Sequence, residues 1–314
     1  MLLLEWRAVR GNGTLAEVKV LVTGASGFVG GRLCPALVAA GHEVRAMTRR
    51  PDRYSGPGEA VYGDVSQPDS LADALAGCQG AYYLVHSLDR AEFEERDAAA
   101  AAAFAEAAGQ AQLNRLVYLG GLGDDEDVLS AHLRSRRKVE RLLAAGDVPV
   151  TTLRAGIIIG HGGISWELTR QLAERLPVMI TPRWVRTRTQ PIAVADVVRY
   201  LVAVLTLPEA AGQTFDIGGP EVVEYGQMLR RAARVEGRRT VVLPVPFLSP
   251  RLSSRWLSLV TDVDVQTGRS LIDSMINEVV VRDHSIRKLV PFEPVDYDTA
   301  VAQALDERTR ARHR

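Results

Sequence analysis

Short runs rich in β-branched residues alternate with amphipathic stretches along the first two thirds of the chain. The apolar runs predict strands at residues 18–22, 42–47, 60–62, 81–85, 115–119, 148–153 and 214–217. Between most of them, apolar residues recur at the spacing of helices that bury one face. Strands that alternate with helices in this way form a parallel sheet covered on both sides. The pattern therefore predicts an α/β fold with a doubly wound parallel sheet.

The pattern changes at Gly218-Gly219-Pro220. Beyond this point the predicted elements are shorter: a helix at 225–235, a strand at 240–243 and helices interrupted by prolines. We expect residues 17–218 to form the core. Residues 219–314 then form a small C-terminal α/β lobe over the carboxyl ends of the strands, where open α/β sheets bind ligands. Residues 1–16 look like an extension ahead of the first strand.

The turn after the first strand carries three glycines in the spacing G-x-x-G-x-x-G, at Gly24, Gly27 and Gly30. Gly24 permits a tight turn, Gly27 lets the backbone approach a pyrophosphate, and Gly30 allows the helix to pack closely on its strand. The free N–H groups and the positive dipole end of the helix then face the phosphates. The turn therefore predicts a Rossmann-type dinucleotide site; the alternative is a tight turn without a ligand. Its residues are Gly24, Ser26, Gly27, Phe28, Val29 and Gly30.

The tip of the second strand indicates which dinucleotide binds. Chains specific for NAD usually place an acid there, about 20 residues after the first glycine, to accept hydrogen bonds from the ribose. This chain has Arg49 and Arg50 instead. Their guanidinium groups suit the 2′-phosphate of NADP, so NADP is the expected cofactor and NAD the alternative. The arginines can equally belong to an ordinary basic surface loop.

Asp64 and Val65 follow the third predicted strand and are further candidates for the adenine end. The Asp64 carboxylate can accept from the adenine amino group while the Val65 backbone lines the ring. Asp is also a favourable N-cap, so Asp64 can instead begin a helix at residues 67–76.

Composition narrows the class of protein. Among 314 residues, Lys plus Arg and Asp plus Glu are both 38, so no overall field favours a nucleic acid or an anionic membrane. Only Cys34 and Cys78 occur, which fits a reducing cytoplasm. No apolar run reaches the ~20 residues of a membrane span. The alanine run at 98–103 allows close packing on the sheet or against a partner subunit, so a homo-oligomer is possible.

A stretch at 246–263 carries apolar residues at roughly helical spacing. It predicts the inner face of the lobe. The alternative is a helix on a membrane surface, for which Arg251 and Arg255 supply few cations.

Three segments together resemble the extended short-chain dehydrogenase/reductase superfamily: Thr23–Gly30, Gly63-Asp64-Val65 and the run from Thr214 to Pro220. The chain is most similar to its atypical NmrA-like and YbjT-like members. The resemblance implies that the segment at 84–86 packs on the cofactor ribose and that the run at 154–157 meets the nicotinamide, where Ala155 replaces the usual proline. The residues implied in this way are Leu84, Val85, His86, Leu119, Ala155, Gly156 and Ile157.

The resemblance fails at the catalytic pair. Active extended members carry Tyr-x-x-x-Lys on one helix face and a hydroxyl at the preceding strand end. Aligned on Glu140, this chain has His132 at the Tyr position, Arg136 at the Lys position and no hydroxyl in the segment at 120–122. His132 can donate a proton, with Arg136 lowering its pKa, or it can be a solvated residue near a helix cap. Other candidate donors are Tyr82, Tyr83 and His86, and alternation lets at most one of the tyrosines face the cleft.

These features favour an NADP-binding oxidoreductase that reduces a carbonyl, enone or quinone-like acceptor. The competing interpretation is a sensor, regulator or assembly factor that binds the dinucleotide without turnover. In the first case the protein binds a small-molecule substrate, and in the second case it binds none. No metal site is predicted.

Overall fold

The computed structural model describes residues 17–86, 93–124, 127–181, 183–244, 261–262 and 265–313. The predicted extension at 1–16 and most of the apolar stretch at 246–263 lie outside the described residues.

A seven-stranded parallel sheet forms the centre of the molecule, with strand order β11-β6-β5-β4-β1-β2-β3. Val20, Leu21 and Val22 in β1 are fully buried, because the sheet covers this strand with helices on both faces. The strands β2 and β3 follow on one side of β1, whereas β4 and the later strands lie on its other side. The strand order therefore reverses between β1 and β4, and open α/β sheets bind their ligands at such a point. The predicted doubly wound sheet is confirmed. The strands are β1 (Lys19–Val22), β2 (Glu43–Thr48), β3 (Glu59–Tyr62), β4 (Gly80–Tyr83), β5 (Arg115–Gly121), β6 (Val150–Ala155) and β11 (Thr214–Ile217).

Two hydrophobic cores cover the two faces of this sheet. On one face, α1 (Gly30–Ala39) and α6 (Val194–Thr206) pack against the strands. On the other face lie α2 (Leu71–Leu75), α3 (Phe93–Gln110) and α4 (Ala131–Ala144). The alanine run of α3 turns small side chains toward the sheet, where the Phe104 and Tyr83 rings meet edge to face at 5.1 Å. The run therefore permits close packing inside the subunit.

A third core forms the smaller lobe. Its helices are α5 (Ile164–Arg175), α7 (Tyr225–Val235), α8 (Val265–Ser274) and α10 (Tyr297–Arg312). Three two-stranded sheets complete it: β7 (Ile158–Ile159) with β10 (Ile192–Ala193), β9 (Arg188–Thr189) with β12 (Val223–Glu224), and β8 (Val178–Thr181) with β13 (Val241–Pro244). This core draws on residues on both sides of 218, and α9 (Ile286–Leu289) packs back on the first core through Ile286. Among the described residues, no helix is both long enough and apolar enough to cross a bilayer.

Some element boundaries differ from the predicted ones for identifiable reasons. The predicted helix at 67–76 is a 3₁₀ turn, Pro68–Ser70, followed by the short α2, because the Ser70 N–H donates to the Gln67 carbonyl at 3.0 Å in the i, i+3 pattern of a 3₁₀ turn. The fourth strand ends at Tyr83, since the Leu84 N–H donates to Thr23 Oγ1 at 2.9 Å instead of to a neighbouring strand.

Candidate functional site

The glycine turn between β1 and α1 has the geometry that the sequence requires. Gly24 adopts a φ of +62°, which side chains rarely tolerate. A Cβ on Gly30 would lie 2.2 Å from the Gly24 carbonyl oxygen, so only glycine lets the helix approach the strand this closely. A Cβ on Gly27 would meet only that same oxygen, at 3.1 Å. Gly27 itself lines the cleft beside the turn.

This cleft has a volume of about 1040 Å³ and runs past the carboxyl ends of β1, β2, β3 and β4. It is large enough for an extended dinucleotide. Nine of the predicted cofactor residues line it: Gly24, Ser26, Gly27, Arg49, Arg50, Asp64, Val65, Val85 and His86. The structure thus brings together the glycine turn, the tip of β2 and the segment after β3.

The remaining predicted cofactor residues lie outside the wall of the cleft: Phe28, Val29, Gly30, Leu84, Leu119, Ala155, Gly156 and Ile157. The Phe28 ring packs against Gly160 and Gly163 and lies 4.8 Å from the Arg32 guanidinium carbon. Ile157 is buried in the core of the lobe. For these residues, contact with a cofactor stays a prediction.

Four arginines surround the end of the cleft beside the tip of β2. Arg49, Arg50 and Arg53 come from the tip of β2 and the turn after it, and Arg96 comes from the first turn of α3. The sequence did not predict Arg96 at this site, because no local pattern indicates that the first turn of α3 lies beside this end of the cleft. Together these side chains give this part of the cleft a positive charge that suits phosphate groups.

Asp64 lies among these arginines and caps a turn. Its Oδ1 accepts hydrogen bonds from the Ser66 N–H at 2.9 Å and from the Ser66 hydroxyl at 2.7 Å. Burial opposes ionisation of Asp64, but the Ser66 hydrogen bonds and the charges of Arg49 and Arg96 hold its pKa below the usual value. Asp64 is therefore an anion that shapes the local backbone and also lines the cleft.

A second cluster of polar side chains, formed by His132, Arg136 and Ser274, lies where α4 meets the lobe. These three residues are close to the cleft but do not line it. The Arg136 Nε–H donates to His132 Nε2 at 3.4 Å, and His132 Nδ1 lies 3.4 Å from Ser274 Oγ. Since Nε2 accepts, the proton of the neutral ring resides on Nδ1, which donates to Ser274. Burial, and then the Arg136 charge, lower the pKa of His132 to about 3. His132 is thus a neutral, half-buried imidazole near neutral pH.

Ser274 and Asn277 of the lobe hold Ser130 at the start of α4. Ser130 Oγ caps the helix by accepting from the Leu133 N–H at 3.3 Å, and it lies 3.2 Å from Ser274 Oγ. Asn277 accepts from the Ser130 N–H and donates to the Val128 carbonyl, both at 3.0 Å. The contacts made by Ser274 and Asn277 join residues more than 140 positions apart, so the sequence offered no signal for them.

Gly121, in the segment 120–122 where the sequence predicts that a hydroxyl is missing, lies next to α4. A Cβ on Gly121 would lie 2.9 Å from Leu133 Cδ2 and 3.5 Å from Arg136 Cγ, so little space remains for a larger side chain. Further along α4, the Glu140 carboxylate accepts from Arg154 Nη2 at 2.6 Å and from Arg154 Nε at 3.1 Å. It also accepts from Arg137 Nη1 at 3.2 Å. This buried ion-pair network fixes α4 against β5 and β6.

The alternative proton donors also differ in position. Tyr82 is fully buried and its hydroxyl donates to the Leu201 carbonyl at 3.0 Å, away from the cleft. Tyr83 and His86 line the cleft. The centroids of the His86 and His132 rings are 6.4 Å apart. Within the described residues, no group of three or more His, Cys, Asp or Glu is arranged to hold a metal ion.

A glycine turn at the switch point of a parallel sheet, opening on a cleft lined by arginines, defines a Rossmann-type dinucleotide-binding protein. A family model described as NAD(P)H-binding matches residues 24–208. The chain belongs to this NAD(P)H-binding family, and its fold is that of the atypical short-chain dehydrogenase/reductases.

Curated relatives and solved structures extend the likeness beyond the core. The chain is 31% identical over 263 residues to a ceramide reductase of Caulobacter vibrioides, which covers 78% of this chain and 80% of the relative. It is 21% identical over 245 residues to the photosystem II assembly factor Ycf39 of Trieres chinensis, covering 76% and 75%. The triphenylmethane reductase of a Citrobacter species, solved with NADP(H), superposes with a TM-score of 0.74 at 17% identity over 91% of this chain and 99% of that one. This last likeness concerns the fold alone.

Proposed function

We propose that the protein is an NADP(H)-dependent oxidoreductase that reduces a carbonyl, enone or quinone-like acceptor. The observation that carries the proposal is the arginine-lined end of the cleft, where Arg49 and Arg50 stand at the tip of β2 in place of an acid. A guanidinium pair favours a 2′-phosphate, and an acid would repel it. The ceramide reductase relative supports reduction as the type of reaction.

The residues present fit a dinucleotide. The glycine turn and the N-terminus of α1 suit a pyrophosphate, and Arg49 and Arg50 suit the 2′-phosphate. When bound, the cofactor supplies a hydride. The chain must then position the acceptor, and the reduced acceptor must take up one proton.

His132 and Arg136 are the pair that we propose beside the reacting carbonyl, where they stabilise the oxyanion formed by hydride addition; the proton that completes the reduction then comes from solvent. With a pKa of about 3, His132 cannot be a charged donor near neutral pH, so the Arg136 guanidinium is the cation of the pair. Its charge can stabilise an oxyanion that develops nearby. His86, which lines the cleft beside them, is the residue to test next.

The experiment compares NADPH and NADH binding by calorimetry in the parent protein and in Arg49→Ala/Arg50→Ala. Loss of two charge-assisted contacts should weaken NADPH binding by about 10- to 100-fold and leave NADH nearly unchanged. Arg234→Ala, in α7 of the lobe, is the matched control for loss of a cation. Equal losses for both cofactors would refute the assignment of Arg49 and Arg50 to the 2′-phosphate.

A second candidate function is that of a dinucleotide-binding assembly factor or sensor without turnover. It is favoured by the missing Tyr-x-x-x-Lys pair and by the neutral state of His132, and the Ycf39 relative carries an assembly-factor name. A screen for NADPH oxidation over carbonyls and quinones separates the two. Tight binding of NADPH without oxidation of any acceptor would favour the sensor.

A further inference from the structure

Arg96 reaches the cleft from a different element than the other three arginines at its end. It lies in the first turn of α3, whereas Arg49, Arg50 and Arg53 follow β2. The helix α3 packs against α2 and against the 3₁₀ turn at Pro68–Ser70, so it runs beside the segment that holds Asp64. Two parts of the chain that are far apart in the sequence therefore supply cations to the same end of the cleft.

None of these four guanidinium groups has a carboxylate partner in the part of the chain that the structure describes, and none forms a side-chain hydrogen bond there. Elsewhere in the fold, Arg32, Arg154 and Arg188 each bind a carboxylate at 2.6 to 2.7 Å. Like charges that lie close together repel one another unless an anion lies between them. The arrangement therefore favours binding of an anion at this end of the cleft.

Asp64 is the acid that lies among the four arginines. Burial raises the pKa of its carboxyl, whereas hydrogen bonds and then the charges of Arg49 and Arg96 bring it below the usual value. The other acid on the described wall of the cleft, Asp97, lies beside Tyr83, whose pKa is raised by burial and then by the Asp97 charge. One carboxylate against four guanidinium groups leaves an excess of three positive charges.

We propose that Arg96 is a further specificity-determining residue, which binds the 2′-phosphate of NADP(H) together with Arg49 and Arg50. This inference rests on the proposed function, in which NADP(H) is the cofactor. A phosphate monoester carries about −1.5 to −2 charges at pH 7, and its oxygens accept from several guanidinium groups at once. The glycine turn and the N-terminus of α1 suit the pyrophosphate, so the 2′-phosphate is the anionic group that remains for the arginines.

Stacking of Arg96 on the adenine ring is the competing role. An exposed guanidinium gains little from the face of a ring, whereas a charge-assisted hydrogen bond to phosphate is roughly twice as strong as a neutral one. An uncharged ring also leaves the excess of positive charge unbalanced. Both arguments favour the phosphate as the group that Arg96 binds.

The test is calorimetry of the full chain with adenosine 2′,5′-bisphosphate, which carries the 2′-phosphate, and with AMP, which lacks it. Arg96→Gln should weaken binding of the bisphosphate at least about tenfold and change AMP binding by less than about twofold, because it removes a charge-assisted contact to the 2′-phosphate alone. Arg96→Lys keeps the charge without the planar fork, so it should lose less affinity than Arg96→Gln.

The combination of Arg96→Gln with Arg49→Ala/Arg50→Ala tests whether the three arginines share one phosphate. Residues that bind the same group are coupled, so the combined loss for the bisphosphate should be smaller than the product of the two separate losses. A combined loss equal to that product would place Arg96 at another part of the ligand and overturn the inference.

Arg234→Gln is the matched control, since Arg234 is an exposed cation on α7 that does not line the cleft. Arg96 is itself exposed, so its substitution should leave the circular dichroism spectrum and the melting temperature unchanged. Equal losses for both fragments in Arg96→Gln would assign Arg96 to the adenosine or the 5′-phosphate, and unchanged affinity for both would show that it binds neither. Either result overturns the inference and leaves the proposed cofactor in place. Equal affinity of the parent protein for the two fragments would instead refute the NADP assignment itself, and with it the role of Arg96.

Discussion

His132 is the residue whose protonation state can be tested most directly. Its folded pKa of about 3 lies below the ~6.5 of an unfolded histidine. Its contribution to stability is therefore complete above about pH 6.5 and is lost as the pH falls toward 3, because the unfolded chain binds the proton first. We expect nitrogen-15 spectra of the ring to show the neutral Nδ1–H form from pH 8 to pH 5 (about two units above its pKa).

Arg136→Gln provides the control for this prediction. Removing the cation should raise the pKa of His132, but burial, the larger cause, should keep it below the ordinary value. Protonation of His132 between about pH 6 and 7 in the parent protein would contradict the buried arrangement with Ser274 and Arg136.

Gly27 and Gly30 are only three residues apart, yet their substitution should have different effects. In Gly27→Val the Cβ would meet only the Gly24 oxygen, at 3.1 Å, so most of the stability should remain, while the added methyl groups crowd the turn that lines the cleft and NADPH binding should be lost. Gly30→Ala puts a Cβ 2.2 Å from the Gly24 oxygen, so it should destabilise the fold by several kcal/mol, on the order of other overpacked sites. Thermal melts and cofactor titration distinguish the two; retained NADPH affinity in Gly27→Val would show that this turn holds no phosphate.

At the scale of elements, Asp196 in the first turn of α6 couples that helix to the segment before α10. Its carboxylate accepts from the Val295 N–H at 3.0 Å, and burial raises its pKa to about 6 despite this bond. A raised folded pKa means that the protonated form is favoured, so its stabilising contribution is present at low pH and is lost as the pH rises through about 6.

Asp196→Asn keeps an acceptor for Val295 without the buried charge. Above pH 7 it should stabilise the protein, by up to about 3 kcal/mol for a shift of about two pKa units. The gain should shrink as the pH falls below about 6 and disappear below about pH 4, where the carboxyl is protonated in both the folded and the unfolded chain. Denaturant unfolding at several pH values measures the difference. A constant difference at all pH values would show that titration of Asp196 is not its cause.

The elements that the sequence predicted best are those specified by local patterns. The buried run in β1, the glycine turn and the arginines after β2 are each encoded within a few residues, and the structure brings the turn and the arginines to one cleft. Arg96, Ser274 and the pairing of Arg154 with Glu140 were not predicted, because their positions depend on how distant elements pack. Phe28 belongs to a local motif, yet its ring direction is set by Gly160 and Gly163, far along the chain.

At the scale of the whole molecule, Arg32 connects the glycine turn to the smaller lobe. Its guanidinium donates to the Phe28 and His161 carbonyls, each at 2.8 Å, and to Glu307 of α10 at 2.7 Å. The turn, the loop before α5 and the C-terminal helix therefore share one cation. A ligand that orders the glycine turn should for this reason stabilise both parts of the molecule together.

Cofactor binding should accordingly raise the melting temperature of the whole chain in a single transition. A ligand at about 100 times its Kd adds roughly 2.7 kcal/mol, which corresponds to an increase of roughly 4 °C for a chain of 314 residues, at ~2.1 cal/mol/K of unfolding entropy per residue. NADPH should give the larger shift and NADH the smaller one at equal concentration, and Arg49→Ala/Arg50→Ala should make the two shifts similar.

Arg32→Ala should split the transition or broaden it. If NADPH stabilised only part of the chain in the parent protein, with a second transition unmoved, the coupling through Arg32 would be refuted.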